Sequence, residues 1–218
     1  MSSLVLPLSF VTIEDISRNH NSTRTKLMAS GERLMASQGV QGVSVEAIAR
    51  DAGQANNAAV NYHFGDRDKL VQAIWKIREE AIDQDRATRL EKIDELGLGD
   101  DLEAVAEVLL APVANQVDRA GSQSYARFRI QYIVATSLDQ HFALPTRPGY
   151  MAIFERLHRI AGLDREDLLQ RLSPFNLGFL AALIDFDNRT NQNLPTSSLE
   201  AVLRSAILIL KAGLAVPH

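Results

Sequence analysis

The stretch from Ser44 to Leu70 constrains the fold of this chain more than any other part of the sequence. It holds two helical patterns of about two turns each, the first ended by Gly53 and the second by Gly65. Helices this short are not stable alone, so each must pack a narrow apolar stripe against longer neighbours. The stretch therefore predicts a small unit built only of helices.

Both short helices have recognisable beginnings. Ser44 suits an N-cap, because its hydroxyl can accept a free backbone N–H group of the first turn. The second short helix is predicted to start at Asn56 or Asn57, which are also good caps, and to run to Phe64. The buried stripe of the first comprises Val45, Ile48, Ala49 and Ala52.

Longer helical patterns flank this pair. One begins at Thr23 and is stopped by Gly39, with an apolar face and, off that face, the charged residues Arg24, Lys26, Glu32 and Arg33. The other starts at Asp66 or Asp68 and extends to about Glu95. Together the four patterns predict a helical domain at residues 23–75.

The second short helix turns an unusual set of side chains outward. They are small or hydrogen-bonding groups without net charge, namely Asn57, Ala58, Asn61, Tyr62 and His63. A helix that enters the major groove needs small residues for close approach and amides that pair with base edges, and an aromatic hydroxyl can reach a phosphate. A polar face that meets only water is the alternative that the periodicity leaves open.

Residues 23 to about 75 also carry five short motifs in a fixed order, which are Met35-Ala36-Ser37-Gln38-Gly39, Val43-Ser44-Val45-Glu46-Ala47-Ile48-Ala49, Ala52-Gly53, Val60-Asn61-Tyr62-His63-Phe64 and Lys69-Leu70. With these motifs the segment resembles the N-terminal DNA-binding domain of the TetR/AcrR family of transcriptional regulators. The resemblance implies a homodimer built only of helices, whose recognition helix reads the major groove. It also implies that the C-terminal domain holds an inducer. Most members of the family are repressors, so a repressor is the expected role.

The resemblance gives the candidate DNA-binding residues their roles. Ser44 would bond a phosphate, Asn57, Ala58 and Asn61 would face bases, and Tyr62, His63 and Lys69 would hold the DNA backbone. The turn after Gly53 is one residue longer than the family pattern, so Asn56 joins Asn57 and Asn61 as a residue that could touch a base. Simpler alternatives are that Ser44 is only a cap, that Tyr62 packs against the helix from Thr23, and that His63 is solvated.

Residues 1–22 show no sustained period and end in the polar run Arg18-Asn19-His20-Asn21-Ser22. They predict a flexible arm, with a short helix as the alternative. Residues 1–78 hold nine Lys and Arg against seven Asp and Glu, whereas the remainder holds fourteen against twenty. The mildly basic character of residues 1–78 suits phosphate contact. The net charge of −4 for the whole chain argues against a protein that binds nucleic acid without specificity along its length.

Residues 76–218 predict a larger C-terminal domain with helices at about 102–117, 125–138, 151–161, 164–187 and 199–214. We expect a kink or restart at Pro112 and an interruption at Pro174. The last two helices are apolar over a wider arc than a surface helix needs. A four-helix bundle with a second copy would bury that arc, and the resemblance places the dimer interface there; a buried core helix is the alternative.

A small molecule bound in the C-terminal domain could move the helix that starts near Asp66, and so change the spacing of two recognition helices. The candidate lining residues are Trp75, Val105, Tyr125, Phe128, Tyr132, Met151, Phe154 and His158. Ordinary core packing is the alternative for each of them. The sequence does not identify the inducer.

Several protein classes are disfavoured. Without cysteine there is no disulfide and no thiolate site, which suits a reducing cytoplasm, and no apolar run reaches the length of a membrane span. No Gly-rich phosphate loop, G-x-S-x-G or H-E-x-x-H is present, and Glu155-x-x-His158 is one copy of a pair that di-iron bundles use twice. The sequence therefore predicts that the protein is not an enzyme and that it binds neither a cofactor nor a metal ion.

These observations predict a ligand-responsive transcriptional regulator of the cytoplasm with three parts. Residues 1–22 form the arm, residues 23–75 bind operator DNA, and residues 76–218 bind an inducer and form the homodimer. A repressor on a palindromic operator is favoured over an activator or a ligand-independent repressor. The competitor from another class is a helical small-molecule binding protein or enzyme whose helix-turn-helix pattern is coincidental.

Overall fold

The computed structural model describes residues 4–17, 22–54, 56, 58–136 and 147–216. Over these residues the chain forms ten α-helices and no β-strand, which confirms the all-α fold class. The helices are α1 (Ile13–Ile16), α2 (Thr23–Gln38), α3 (Val45–Asp51), α4 (Ala59–Phe64), α5 (Arg67–Glu95), α6 (Leu102–Ala114), α7 (Ser124–Thr136), α8 (Pro148–Ala161), α9 (Arg165–Asn191) and α10 (Leu199–Ala215). No helix in these described ranges is long and apolar enough to cross a membrane.

The chain divides into two compact units. The first unit comprises Phe10–Ala81 and Gln116–Ser137, and the second comprises Met1–Ser9, Ile82–Asn115 and Leu138–His218. The first unit is therefore larger than the predicted domain at residues 23–75, because α1 and α7 pack on α2. The predicted continuation of α7 to residue 138 lies outside the described residues.

In the first unit, α2 begins and ends where the sequence predicts. Ser22 caps it by accepting the N–H of Thr25 at 3.1 Å, and Gly39 ends it at a φ of +84°. Gly31 lets α2 approach α5 closely, since a Cβ there would lie 3.1 Å from Cδ1 of Ile74. The packed pair of α2 and α5 provides a surface on which the short helices α3 and α4 can bury Ile48, Val60 and Phe64.

The helix α4 begins two to three residues later than predicted. Oδ1 of Asn56 accepts the N–H of Ala58 at 2.8 Å, and the carbonyl of Asn56 accepts the N–H of Ala59 at 3.1 Å. These bonds close a polar turn before the helix, so the extra residue after Gly53 is taken up by the turn. The predicted start at Asn56 or Asn57 is wrong for this reason.

A buried ion pair crosses the first unit. All five guanidinium N–H groups of Arg78 have acceptors: two oxygens of Glu32, the carbonyls of Val11 and Val117, and Oε1 of Gln116. Arg78 is 1% exposed and Glu32 is 2% exposed. The sequence placed Glu32 off the apolar face of α2, and the structure buries it because α5 supplies a matched partner.

Residues 4–17 depart from the predicted flexible arm. Thr12 and Asp15 form a reciprocal capping box that starts α1, which is the short helix given as the alternative. The N–H of Val117 donates to the carbonyl of Val11 at 3.1 Å. Arg18 to Asn21, the polar end of the predicted arm, lie outside the described residues.

In the second unit, neither proline interrupts its helix. The helix α6 is buried from Ala104 to Ala114 and passes Pro112, which lies in its last turn with two residues left to form. The helix α9 runs unbroken past Pro174, where the carbonyl that loses its partner belongs to the exposed Gln170 and can be hydrated. The expected restart and interruption are therefore wrong, and the predicted helix to residue 117 ends at Ala114.

Candidate DNA-binding surface

The helix α4 separates its side chains into a buried face and an exposed stripe. Val60 and Phe64 are buried, whereas Ala58, Asn61 and Tyr62 are exposed. Positions three and four apart lie on one side of a helix, so these three residues form a single outward stripe. The stripe offers one methyl group, one amide and one phenol without a charge.

The two larger members of the stripe are available for contact. Tyr62 is 85% exposed, and its ring meets His63 edge to face at a centroid distance of 5.0 Å. The alternative that Tyr62 packs against α2 is therefore wrong. The side chain of Asn61 makes no hydrogen bond to another described residue. Its amide can offer both a donor and an acceptor to a base edge.

Arg24 anchors the end of α4 to α2. Its Nη1 donates to the carbonyl of His63 at 3.0 Å, and its guanidinium lies 4.2 Å from the ring centroid of Phe64. The last carbonyls of a helix lack partners within the helix, so this bond satisfies one of them. The sequence marked Arg24 only as a charge off the apolar face, because a contact across 39 positions has no periodic signature.

Ser44 caps α3, and its hydroxyl is exposed. Oγ accepts the N–H of Ala47 at 3.2 Å, as predicted. The pKa of Glu46 is lowered by a backbone hydrogen bond first and then by a hydrogen bond with the Ser44 hydroxyl.

Lys69 lies beside the break that ends α4. Nζ is 3.1 Å from Oδ2 of Asp66, and the backbone N–H of Lys69 donates to Oδ1 of Asp66 at 2.8 Å. These hydrogen bonds lower the pKa of the Asp66 carboxyl. The charge of Lys69 is exposed but has a carboxylate beside it, so its net attraction for a phosphate is reduced.

The remaining candidates on the turn differ in what the structure shows. Asn56 is exposed, but its side-chain oxygen is engaged with Ala58, which leaves the amide N–H groups for DNA. Asn57 lies outside the described residues. Two contacts brace the pair of short helices: Nε of Arg67 donates to the carbonyl of Val43 at 2.9 Å, and Arg33 pairs with Asp51.

Four of the predicted ligand-binding residues come together in the first unit. Trp75 and Tyr132 lie 4.7 Å apart between ring centroids, and Phe128 stacks 6.0 Å from both Tyr125 and Tyr132. The hydroxyl of Tyr125 donates to Oε1 of Glu79 at 2.7 Å. Burial and the neighbouring Glu79 raise the pKa of Tyr125 well above its usual value.

The other four lie in the second unit. Val105 and Phe154 are fully buried, whereas Met151 and His158 are half-buried. The Nδ1 atom of His158 pairs with the carbonyl of Leu163 just past the end of α8, and Glu155 pairs with Arg165. Across the described part of the chain, no three His, Cys, Asp or Glu side chains are grouped to hold a metal ion.

Comparison with known families gives a match over the part of the chain that carries this surface. Residues 27–74 match the family described as bacterial regulatory proteins, tetR family. The match begins within α2 and ends within α5, so it contains α3, the turn and α4. No curated protein matches the chain.

Solved structures share the fold over most of the chain. One is a protein from Shewanella sp. PV-4 assigned to the tetR family of transcription regulators, with a TM-score of 0.62 and 16% identity over 90% of this chain and 100% of that one. Another is a protein from Rhodococcus sp. assigned to the same family, with a TM-score of 0.52 and 19% identity over 88% of this chain and 96% of that one. At these identities the likeness establishes the fold.

The helix-turn-helix of α3 and α4 within a helical fold defines a DNA-binding transcriptional regulator. The match at residues 27–74 assigns this segment, which carries the surface, to the DNA-binding domain of the tetR family. The family and both structural neighbours are transcription regulators and not enzymes.

Proposed function

We propose that this protein is a cytoplasmic homodimeric repressor that binds a palindromic operator and is released by a small-molecule inducer. The observation that carries the DNA-binding part is the exposed stripe of Ala58, Asn61 and Tyr62 on a braced α4. Asn61 would pair with a base, adenine above all, and Ala58 would permit the close approach. Ser44, Tyr62, His63 and Lys69 would hold phosphates on either side.

The exposed surface of α9 and α10 supports the homodimer. Leu208 is 61% exposed and Ile209 is 65% exposed, and both are large apolar side chains on α10. A Cβ added to Gly178 or Gly213 would meet nothing within 4 Å, so the same helices also present small residues. Exposed apolar surface of this kind is typical of a protein contact, and two copies of a helix pair can close it as a four-helix bundle.

A groove between α9 and α10 indicates where the partner helices would insert. Its volume is about 600 Å³. The apolar residues that line it include Pro174, Phe175, Phe179, Val202, Ala206 and Ile209. Asp185 and Arg189 lie at the same groove and form an ion pair at 2.8 Å. A second copy would cover apolar surface that water covers in a single chain.

Dimerisation would give the DNA contact its specificity. A lone α4 reads a few base pairs, whereas two copies with centres about 34 to 36 Å apart enter successive major grooves on one face of the duplex. The matching operator is a palindrome whose half-sites are one helical turn apart or a multiple of it. An inducer would release the protein by changing that spacing.

The inducer site is proposed at the predicted aromatic residues. Trp75 and Tyr132 are half-buried rather than sealed in the core, and the guanidinium of Arg129 lies 5.7 Å from the Trp75 ring centroid. Arg129 also pairs with Glu79 at 3.4 Å. This setting suits a planar molecule that can stack on the indole and accept a hydrogen bond.

A gel-shift titration on DNA from the promoter next to the gene tests the proposal. We expect sequence-specific binding that weakens steeply as salt rises, because each phosphate contact releases a counterion. Mobility on the operator would correspond to two copies per duplex. Absence of salt-sensitive, sequence-specific binding would leave a helical small-molecule binding protein as the better description.

A further inference from the structure

Residues 4–9 are held on the second unit through their backbone. The N–H groups of Val5 and Leu6 each donate to one oxygen of the Glu107 carboxylate, both at 2.8 Å. The N–H of Ser9 donates to Oδ1 of Asn115 at 3.0 Å, and Nη2 of Arg89 donates to the carbonyl of Pro7 at 2.9 Å. Four hydrogen bonds to three side chains therefore fix six residues that form no helix.

The side chains that receive this segment are buried and joined to one another. Glu107, Asn115 and Arg89 are 4%, 0% and 6% exposed. Asp85 links two of them, since it accepts from Nε of Arg89 at 2.9 Å and from Nδ2 of Asn115 at 3.1 Å. Asp85 therefore holds Arg89 and Asn115 in a fixed arrangement beside the segment.

Glu107 shows what the groove requires of its occupant. A buried carboxylate is costly unless hydrogen bonds compensate it, and the two N–H groups of residues 5 and 6 are its partners among the described residues. The side chains of the segment alternate, since Val5, Pro7 and Ser9 are exposed whereas Leu4, Leu6 and Leu8 are half-buried. No side chain of the segment is fully buried, so the two consecutive backbone N–H groups are its specific contact with Glu107.

Residues 4–9 do not satisfy every hydrogen-bonding group of the groove. Nη1 of Arg89 is buried and has no hydrogen-bond acceptor among the described residues. A covalently attached segment binds at an effective concentration in the millimolar range, so a modest intrinsic affinity keeps it in place. Such a segment can be replaced by a separate peptide once the covalent connection is removed.

We propose that the groove of Glu107, Asn115 and Arg89 is a binding site for peptide backbone, occupied by the chain's own residues 4–9. The site selects a segment with two consecutive N–H groups, followed by a carbonyl and a further N–H. A free peptide of the same sequence occupies it when the segment is absent. The site lies outside the DNA-binding surface and does not depend on the proposed repressor function.

The test is removal of residues 1–9 and addition of the capped peptide Leu4 to Phe10. We expect the truncated protein to unfold at a temperature lower by about 3 °C or more, and millimolar peptide to restore the loss in a saturable way. The matched control is the same peptide with N-methyl groups on Val5 and Leu6, which keeps every side chain and removes the two donors. Equal melting of the two proteins, or equal rescue by the N-methylated peptide, contradicts the proposal.

A double-mutant cycle provides a second readout. Glu107→Gln replaces one acceptor oxygen by an amide donor, so it should lower the melting temperature of the full chain and lower that of the truncated chain much less. Equal losses in both backgrounds contradict the proposal. If either variant fails to fold, amide exchange in the full chain decides: Val5 and Leu6 should exchange at least about tenfold more slowly than in the free peptide, and equal rates contradict it.

Discussion

Two exposed surfaces of this chain are built from opposite chemistry. The stripe on α4 presents Asn61 and Tyr62, which combine hydrogen-bonding groups with no net charge. The outer face of α10 presents Leu208 and Ile209, whose side chains are also mostly exposed but offer no hydrogen bond. A helix of six residues carries the first surface and a helix of 17 carries the second.

The difference indicates two kinds of partner. A polar stripe on a short helix gains little from leaving water, so it favours a partner whose edges match its donors and acceptors, as DNA bases do. An apolar face on a long helix gains from any dry contact, so it favours a second protein surface of similar shape. We infer that one surface selects a sequence and the other supplies the dimer that makes selection strong.

The largest effect is expected from Ile209→Glu combined with Leu208→Glu. Two carboxylates on the apolar face should prevent dimerisation, and operator affinity should then fall by about 100-fold or more, because two linked contacts become one. Analytical ultracentrifugation would report the mass, and fluorescence anisotropy would report the affinity. The matched control is Leu96→Glu at an exposed leucine in the turn after α5, which should leave both unchanged. A dimer that persists in the double variant would exclude this face as the interface.

A smaller and more local effect is expected from Asn61→Ala. It should weaken binding at one base position in each half-site by about 1 to 3 kcal/mol and leave the other positions alone. Competition among operators with single base changes would locate that position. Asn191→Ala, at an exposed amide at the end of α9, serves as the control. If Asn61→Ala binds every variant operator as the parent does, Asn56 or Asn57 must supply the base contact.

Arg24 should act on affinity without touching DNA. Its bond to the His63 carbonyl and its position over Phe64 hold α4 in place, so Arg24→Lys should lower affinity for all operators by about 1 kcal/mol. The charge is kept, so the dependence of affinity on salt should not change. A salt slope reduced by about one would instead make Arg24 a phosphate contact.

Lys69→Ala should show the smallest effect and the opposite salt behaviour. Loss of one phosphate contact should weaken all sequences alike and reduce the salt slope by about one, with the affinity loss limited by the neighbouring Asp66. Asp66→Asn should raise affinity slightly by freeing Lys69. Titrations at several salt concentrations check both variants, and an unchanged slope for Lys69→Ala would remove Lys69 from the phosphate contacts.

Local signals in the sequence predict much of this architecture. Caps and glycines gave the bounds of α2, the Ser44 cap and the start of α5 to within about one residue. The late start of α4 was missed because the Asn56 side chain can either cap a helix or close a turn before one, and only the surrounding structure decides. The sequence predicted which types of residue the exposed stripe contains. The turn at Asn56 determines where α4 begins, and so which positions form the stripe.

Long-range polar contacts could not be predicted in the same way. Arg78, Glu32 and Arg24 look like ordinary surface charges on helical periodicity, and each is defined by a partner at least 39 positions away. The same holds for residues 4–9, whose backbone contacts lie more than 80 positions away in sequence. Periodicity reports which face is apolar, whereas such pairs depend on how the faces meet.

Selection of binding sites from random double-stranded DNA shows directly whether two copies of α4 read a symmetric sequence. We expect enrichment of one sequence with two-fold symmetry, whose half-site centres are about 10 base pairs apart or a multiple of that. The Asn61→Ala variant should relax the same position in both halves. Recovery of no common sequence, or of an asymmetric site read equally well by Asn61→Ala, would contradict this expectation.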